Sequence, residues 1–248
     1  MKHDNWVERC NHWKSIWPLI QEKDLKNDAN LGIYSVLHGI NTFSLPQHSI
    51  VGDAGSISYA GPVVLEPKKN QRLIFSPAQA DMGWAIPAGI GVALASKAPV
   101  IVVTGDGSSM SNIQELATIR YNSLNIKIII LNNAGYLSIK NTQNNYFDGR
   151  VYGALTGQGF WIPDFKKVAI SYELKYTKLK NVEDLGKFEQ IFNEEGPVIV
   201  DCVCNTEEAI VPYQAIKNGK QAGPHDMAPF LPPKELKEEM VVEIPIKN

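Results

Sequence analysis

The stretch Thr104–Tyr136, TGDGSSMSNIQELATIRYNSLNIKIIILNNAGY, decides how this chain folds. It opens on a Gly105-Asp106-Gly107 turn and closes on the pair Asn132-Asn133, with 24 residues between Gly107 and Asn132. Just before it, Pro99-Val-Ile-Val-Val103 is an unbroken apolar run rich in β-branched residues, the pattern of a strand buried on both faces. Ser111 and Gln114 have capping-box spacing, and Ile113, Leu116 and Ala117 fall on one helical face, so a helix is expected after the turn. A second buried strand, Ile126–Leu131, follows. Strand, helix and strand over so short a span make a βαβ unit, with parallel strands whose following loops share the carboxyl edge of the sheet.

Similar patterns extend the unit in both directions. Ser49–Gly52, Arg72–Phe75, Lys175–Leu179 and Pro197–Cys204 read as further strands. Helices are expected with Ile33, Val36, Leu37 and Ile40 facing inward after an Asn30 cap, over the small-residue run Ala85–Ser96, from Pro163-Asp164 to Glu173, and from an Asn181 cap to Asn193. Gly89 and Gly91 lower helix propensity in the second of these but let another backbone come close. The expected fold is α/β: a doubly wound, mainly parallel sheet with helices on both faces.

Such sheets bind ligands at the carboxyl ends of their strands, where Asp106 and Asn133 would lie side by side. Both offer the hard oxygen ligands that Mg2+ or Ca2+ prefers. One carboxylate, one amide oxygen and one backbone carbonyl would leave room on the cation for phosphate oxygens and water. Gly107 and Ser108 add backbone N–H groups at a turn entering a helix, where an anion is welcome. A diphosphate bridged by Mg2+ suits these parts.

GDGSSMSNIQEL, its spacing, and the closing LNNAGY resemble the thiamine diphosphate motif of the acetolactate synthase and pyruvate decarboxylase superfamily, acetolactate synthase-like large subunits above all. The resemblance implies the thiamine diphosphate-binding fold and its diphosphate-binding module. It further implies that Gly105, Asp106, Gly107 and Ser108 contact the diphosphate, that Asp106, Asn133 and the Gly135 carbonyl hold Mg2+, and that Tyr136 and Leu137 begin a segment crossing the mouth of the site. Gly55 and Ser56 match the loop that reaches the diphosphate. Acetolactate synthases usually carry a Gln-His pair there, whereas this chain has Ser56-Ile57-Ser58, a departure that bears on the substrate. Met82 matches the apolar residue that wedges the cofactor into a V shape, and the backbones of Ala80 and Met82 match those that hydrogen-bond the aminopyrimidine. Gln143 and Phe147 are candidate substrate-facing residues, with plain packing as the alternative. The run GYLSIKNTQNNYFDGR resembles acetolactate synthase-like proteins of surface-sugar synthesis.

The resemblance covers essentially the whole chain but only the C-terminal part of a typical enzyme. It implies a linker over 1–30, an α/β domain over 31–205 and a Pro-rich C-terminal arm over 206–248. The superfamily's pyrimidine-binding domain, with the glutamate that activates the cofactor, has no counterpart here, nor has the central domain, so FAD would enter only in a completed enzyme. The implied function is half of a carboligase or decarboxylase for a 2-oxoacid such as pyruvate. A partner chain, or a further part of the same protein, would supply the glutamate, and a partner or oligomerisation would cover apolar surface around Met82 and Trp84. A non-catalytic cofactor-binding module is the alternative. A 2-oxoacid:ferredoxin oxidoreductase subunit would call for cysteine clusters, and the chain has three cysteines without a Cys-x-x-Cys.

Composition agrees. A net charge of −2 over 248 residues gives no electrostatic case for nucleic acid or an anionic membrane, and no apolar run reaches the ~20 residues of a span. The polar, Trp-rich start is unlike a signal peptide, which makes the cytoplasm the expected location. Cys202 and Cys204, two apart, read as buried packing. Trp6, Cys10, Trp13 and Trp17 form a helical stripe ended by Pro18, expected to dock on the domain's own core, with a preceding domain as the alternative. His3, His12, His38 and His48 lack ligand-spaced partners and read as surface residues.

Overall fold

The computed structural model describes residues 4–26, 31–217 and 220–242. Its main strands are β1 (Ser49–Gly52), β2 (Arg72–Ile74), β3 (Val100–Gly105), β4 (Ile126–Asn132), β5 (Lys175–Leu179) and β6 (Val198–Val203). They form one sheet in the order β2-β1-β3-β4-β6-β5, every neighbouring pair parallel. β3, β4 and β6 are buried along nearly their whole length, as their Val and Ile runs require, and the edge strands β2 and β5 are more exposed.

Helices α1 (Asp4–Ile16), α2 (Ile33–Phe43), α3 (Ser56–Val64), α4 (Ala85–Ser96), α5 (Asp106–Ser109), α6 (Leu116–Tyr121), α7 (Leu137–Tyr146), α8 (Phe165–Ser171) and α9 (Phe188–Asn193) surround it. On one face Ile86 and Ile90 of α4, Leu116 and Ile119 of α6, and Phe165 and Ala169 of α8 pack with Val100, Val102, Ile126, Ile128 and Ile130. Alternation turns Ile101, Val103, Ile129 and Leu131 to the other face. There α2 packs on α3 and α9, and α3 on β1 and β3. The helices thus lie on both faces, as the sequence led us to expect. Residues 209–248 make a second unit containing the antiparallel pair β7 (Ile216–Lys217) and β8 (Lys220–Gln221) and helix α10 (Pro233–Glu239).

Local expectations held unevenly. Asn181 caps as expected, accepting from Asp184 N at 3.1 Å, and Asp164, at the start of the expected helix, proves to be its cap, accepting from Lys166 N at 2.9 Å. Asn30 and His3 fall outside the described residues. The helix of the central βαβ unit differs: it starts at Asp106 itself, loosens into a 3-10 turn at Met110–Glu115 with Asn112 off helical geometry, and resumes as α6. Ser111 caps nothing there, because Asn112 turns aside to donate to the Gly83 carbonyl at 3.0 Å, and Ala117 is exposed. No described side chain of α1 is buried, so its Trp stripe does not dock on the core; Trp6 is 52% exposed and meets Trp13 edge-on at 5.7 Å. His48 is not a surface residue. It is buried against Phe192, and its Nδ1 accepts from Leu45 N at 2.8 Å. Cys202 and Cys204 are buried free thiols.

Candidate functional site

The strand order runs outward from β1 to β2 and returns through β3, so the β1/β3 junction is a topological switch point, where the loops diverge and open a crevice. Loops after β1, β3 and β4 meet there around a cleft. Gly55, Ser56, Met82, Gly105, Asp106, Gly107, Ser108, Asn133, Gly135, Tyr136 and Leu137 all line it. Of the residues expected at the site, Ala80 does not: it is exposed, and its N–H is spent on the Ser76 carbonyl at 2.9 Å.

Asp106 begins α5 at the end of β3, where burial raises its pKa to about 7 against opposing backbone hydrogen bonds. Its Oδ1 accepts from Gly107 N at 2.7 Å and its Oδ2 from Gly135 N at 2.9 Å. The second bond ties the β3 loop to the β4 loop. Asn133 is buried beside it, and its Oδ1 has no hydrogen-bond partner. An orphaned amide oxygen in a buried site costs of the order of 1–3 kcal/mol, which a cation would offset. No three His, Cys, Asp or Glu side chains cluster as metal ligands among the described residues. A cation here would therefore rely on one carboxylate, neutral oxygens and the ligand's own phosphates, the usual habit of Mg2+.

Two glycines shape the cradle. A Cβ on Gly107 would sit 2.2 Å from Tyr136 Cε1, and one on Gly135, at φ 154°, would sit 2.1 Å from the Ala154 carbonyl oxygen. Tyr136 stacks on Phe160 with centroids 4.4 Å apart, and burial followed by the nearby Asp106 charge raises its pKa. Met82 and Ile139, each partly exposed, give the cleft an apolar lip. Trp84, by contrast, packs against the core.

Asp53 staples the loops from behind. It is buried, its Oδ1 accepts from Ala54 N at 2.8 Å and Gly83 N at 3.0 Å, and its Oδ2 accepts from Thr104 Oγ1 at 2.7 Å. Burial raises its pKa against those hydrogen bonds. Gln143 does not line the cleft: its amide donates to the Tyr152 carbonyl at 3.0 Å and accepts from Tyr152 N at 3.1 Å, clamping a loop. Phe147, half exposed, lies outside the lining as well.

Sequence reasoning missed Ile33, Ala54, Ile57 and Leu131 in the lining, whereas Ser138 and Ile139 belong to the segment from Tyr136 to Gln143 expected to cross the mouth. It also missed the segment Ala154–Thr156, which braces the Asn133–Gly135 turn. Tyr136 N donates to the Ala154 carbonyl at 2.7 Å and Thr156 N to the Ala134 carbonyl at 2.9 Å. No motif marks that segment, since the contact is made by backbone alone.

A six-stranded all-parallel sheet with helices on both faces and a cleft at its switch point defines a doubly wound α/β domain. Residues 53–202 match the family "Thiamine pyrophosphate enzyme, C-terminal TPP binding domain". The chain belongs to that family. It is similar to the acetolactate synthase large subunit of Cyanidium caldarium, 30% identical over 214 residues that cover 85% of this chain and 35% of the relative. It is also similar to the acetolactate synthase isozyme 1 large subunit of Escherichia coli K12, 33% identical over 133 residues, 53% of this chain and 23% of the relative. The structure superimposes on a Rhodococcus jostii RHA1 thiamine diphosphate-dependent 4-hydroxybenzoylformate decarboxylase with a TM-score of 0.65 and 24% identity, over 78% of this chain and 36% of that one. The chain thus spans about a third of the length of the first curated relatives it matches.

Proposed function

We propose that the chain is the thiamine diphosphate- and Mg2+-binding module of an acetolactate synthase-like carboligase or decarboxylase acting on a 2-oxoacid such as pyruvate. The buried, unpartnered Asn133 Oδ1 beside Asp106 carries this reading. Asp106, Asn133 and the Gly135 carbonyl would hold the cation. Backbone N–H groups from Gly105 to Ser108, together with Gly55 and Ser56, would orient the diphosphate. Met82 and Ile139 would exclude water from the mouth. When bound, thiamine diphosphate supplies the nucleophilic carbon and electron sink that such 2-oxoacid chemistry needs.

Activation of that cofactor calls for a carboxylate on its pyrimidine ring, and among the described residues Asp106 is the one acidic residue in the cleft lining. Asp53 holds three donors, Glu207 pairs with Lys140, and Glu208 caps α2 by accepting from Ile33 N at 2.6 Å. Asp81, beside Met82, is exposed and outside the cleft lining. A partner chain or domain would therefore supply the glutamate. The apolar outer faces of α3 and α4 support such a partner: Tyr59, Val63 and Leu94 are each at least half exposed. The test is turnover of pyruvate to CO2 or acetolactate. The purified chain with cofactor and Mg2+ should stay at the free-cofactor background and gain activity with a glutamate-bearing partner; turnover by the chain alone would contradict the reading.

A further inference from the structure

Behind the Asn133 turn lies a buried polar cluster that the proposed chemistry does not use. Asp201 on β6 is 2% exposed. Its Oδ1 accepts from Asn132 Nδ2 at 2.8 Å and its Oδ2 from the Tyr176 hydroxyl on β5 at 2.8 Å, with Lys178 Nζ 3.7 Å away. Burying a carboxylate in a sheet core is costly unless it is hydrogen-bonded, and an apolar residue would serve packing alone at least as well. The cluster has a geometric consequence instead. Asn132 ends β4, and its carbonyl also accepts from Cys204 N at 2.8 Å. Its side chain is thus drawn toward β6, away from the cleft lining, while the next residue, Asn133, lines the cleft with its Oδ1 unshared.

We propose that Asp201 is a positioning residue: by gripping Asn132 and Tyr176 it fixes the end of β4, and through it the Asn133–Gly135 turn that presents oxygen ligands to a cation. This rests on the reading of that turn as the Mg2+ site. Nothing in the motif suggests it, because Asp201 lies two strands from the Gly-Asp-Gly turn in the sheet.

The experiment is a titration of Mg2+ into protein with saturating thiamine diphosphate, followed by calorimetry well below each variant's melting temperature. Asp201→Ala and Asn132→Ala should each raise the Mg2+ midpoint about 10- to 100-fold, the usual cost of losing a residue that orients a metal ligand. Asp201→Asn can still accept from Asn132 and donate to the Tyr176 oxygen, so it should stay within about threefold of wild type. Lys178→Ala should change nothing, and the Asp201→Ala/Asn132→Ala double variant should be no worse than either single one. A merely structural role would lower the melting temperature of Asp201→Ala and leave its Mg2+ midpoint at the wild-type value, which would overturn the proposal. So would an Asp201→Asn or Lys178→Ala loss as large as that of Asp201→Ala. If Asp201→Ala does not fold, a wild-type midpoint in Asn132→Ala overturns it equally. Wild-type protein without Mg2+-dependent binding would remove the cation-site reading and this inference together, whereas wild-type binding with unaffected variants would remove only the inference.

Discussion

Asp106 and Asn133 sit together but bring different chemistry to one ion. Asp106 contributes charge and is already oriented by two backbone N–H groups, whereas Asn133 contributes a neutral oxygen that nothing else uses. Asp106→Ala should therefore weaken Mg2+-dependent cofactor binding more than Asn133→Ala, whose loss should be about tenfold, or about 1.4 kcal/mol. Calorimetry on the two variants checks the order, and a larger loss for Asn133→Ala would contradict it. Lys127 shows a buried charge with no part in the site. It lies inside an otherwise apolar buried strand, and its Nζ reaches the carbonyls of Glu194 and, at 2.7 Å, Gly196. Burial lowers its pKa from 10.5 to about 8. Between those values the unfolded chain binds more protons than the folded one, so this group makes stability rise with pH through that window. Urea unfolding at about pH 7.5 and 9.5 should show wild type gaining on Lys127→Met as the pH rises; a constant difference would contradict the assignment.

The elements were legible where pattern and context agreed. All six strands of the main sheet could be read because β-branched runs bounded by turns mean the same thing locally and in the sheet. Helix α3 was not, since Gly61-Pro62 within it looks like a turn and Gly55, just before its start, belongs to the loop matched to the diphosphate. Ser111 made a plausible cap but lost to the tertiary contact of Asn112 with Gly83. Helix α4 shows close packing and open surface side by side. A Cβ on Gly89 would meet Val102 Cγ2 at 2.4 Å, whereas one on Gly91 would meet nothing within 4 Å. Gly91→Ala should therefore stabilise the isolated chain by up to about 1 kcal/mol through helix propensity. Gly89→Ala should destabilise it by about 1–3 kcal/mol through overpacking. Chemical denaturation of both variants checks the pair, and a shift in the same direction for both would show that packing on β3 does not decide the matter.

For the whole molecule, the βαβ unit around Gly105-Asp106-Gly107 was enough to foretell a parallel sheet and the edge at which a cleft opens. The strand order was not legible, because only long-range pairing sets it. Nor was the bracing of the Asn133–Gly135 turn by Ala154–Thr156 from one side and by Asp201 from the other, which depends on segments far apart in the chain. Eleven of the twelve residues expected at the site lie in the lining of one cleft, because they belong to loops that the strand ends place at one edge. Ala80 was the exception, an exposed residue at φ 54° outside the lining. The most direct test of the central claim is calorimetric titration of thiamine diphosphate into the purified chain, once in excess Mg2+ and once in EDTA. The account predicts saturable binding at one site in Mg2+ and its loss in EDTA; equal binding in both, or none in either, would contradict it.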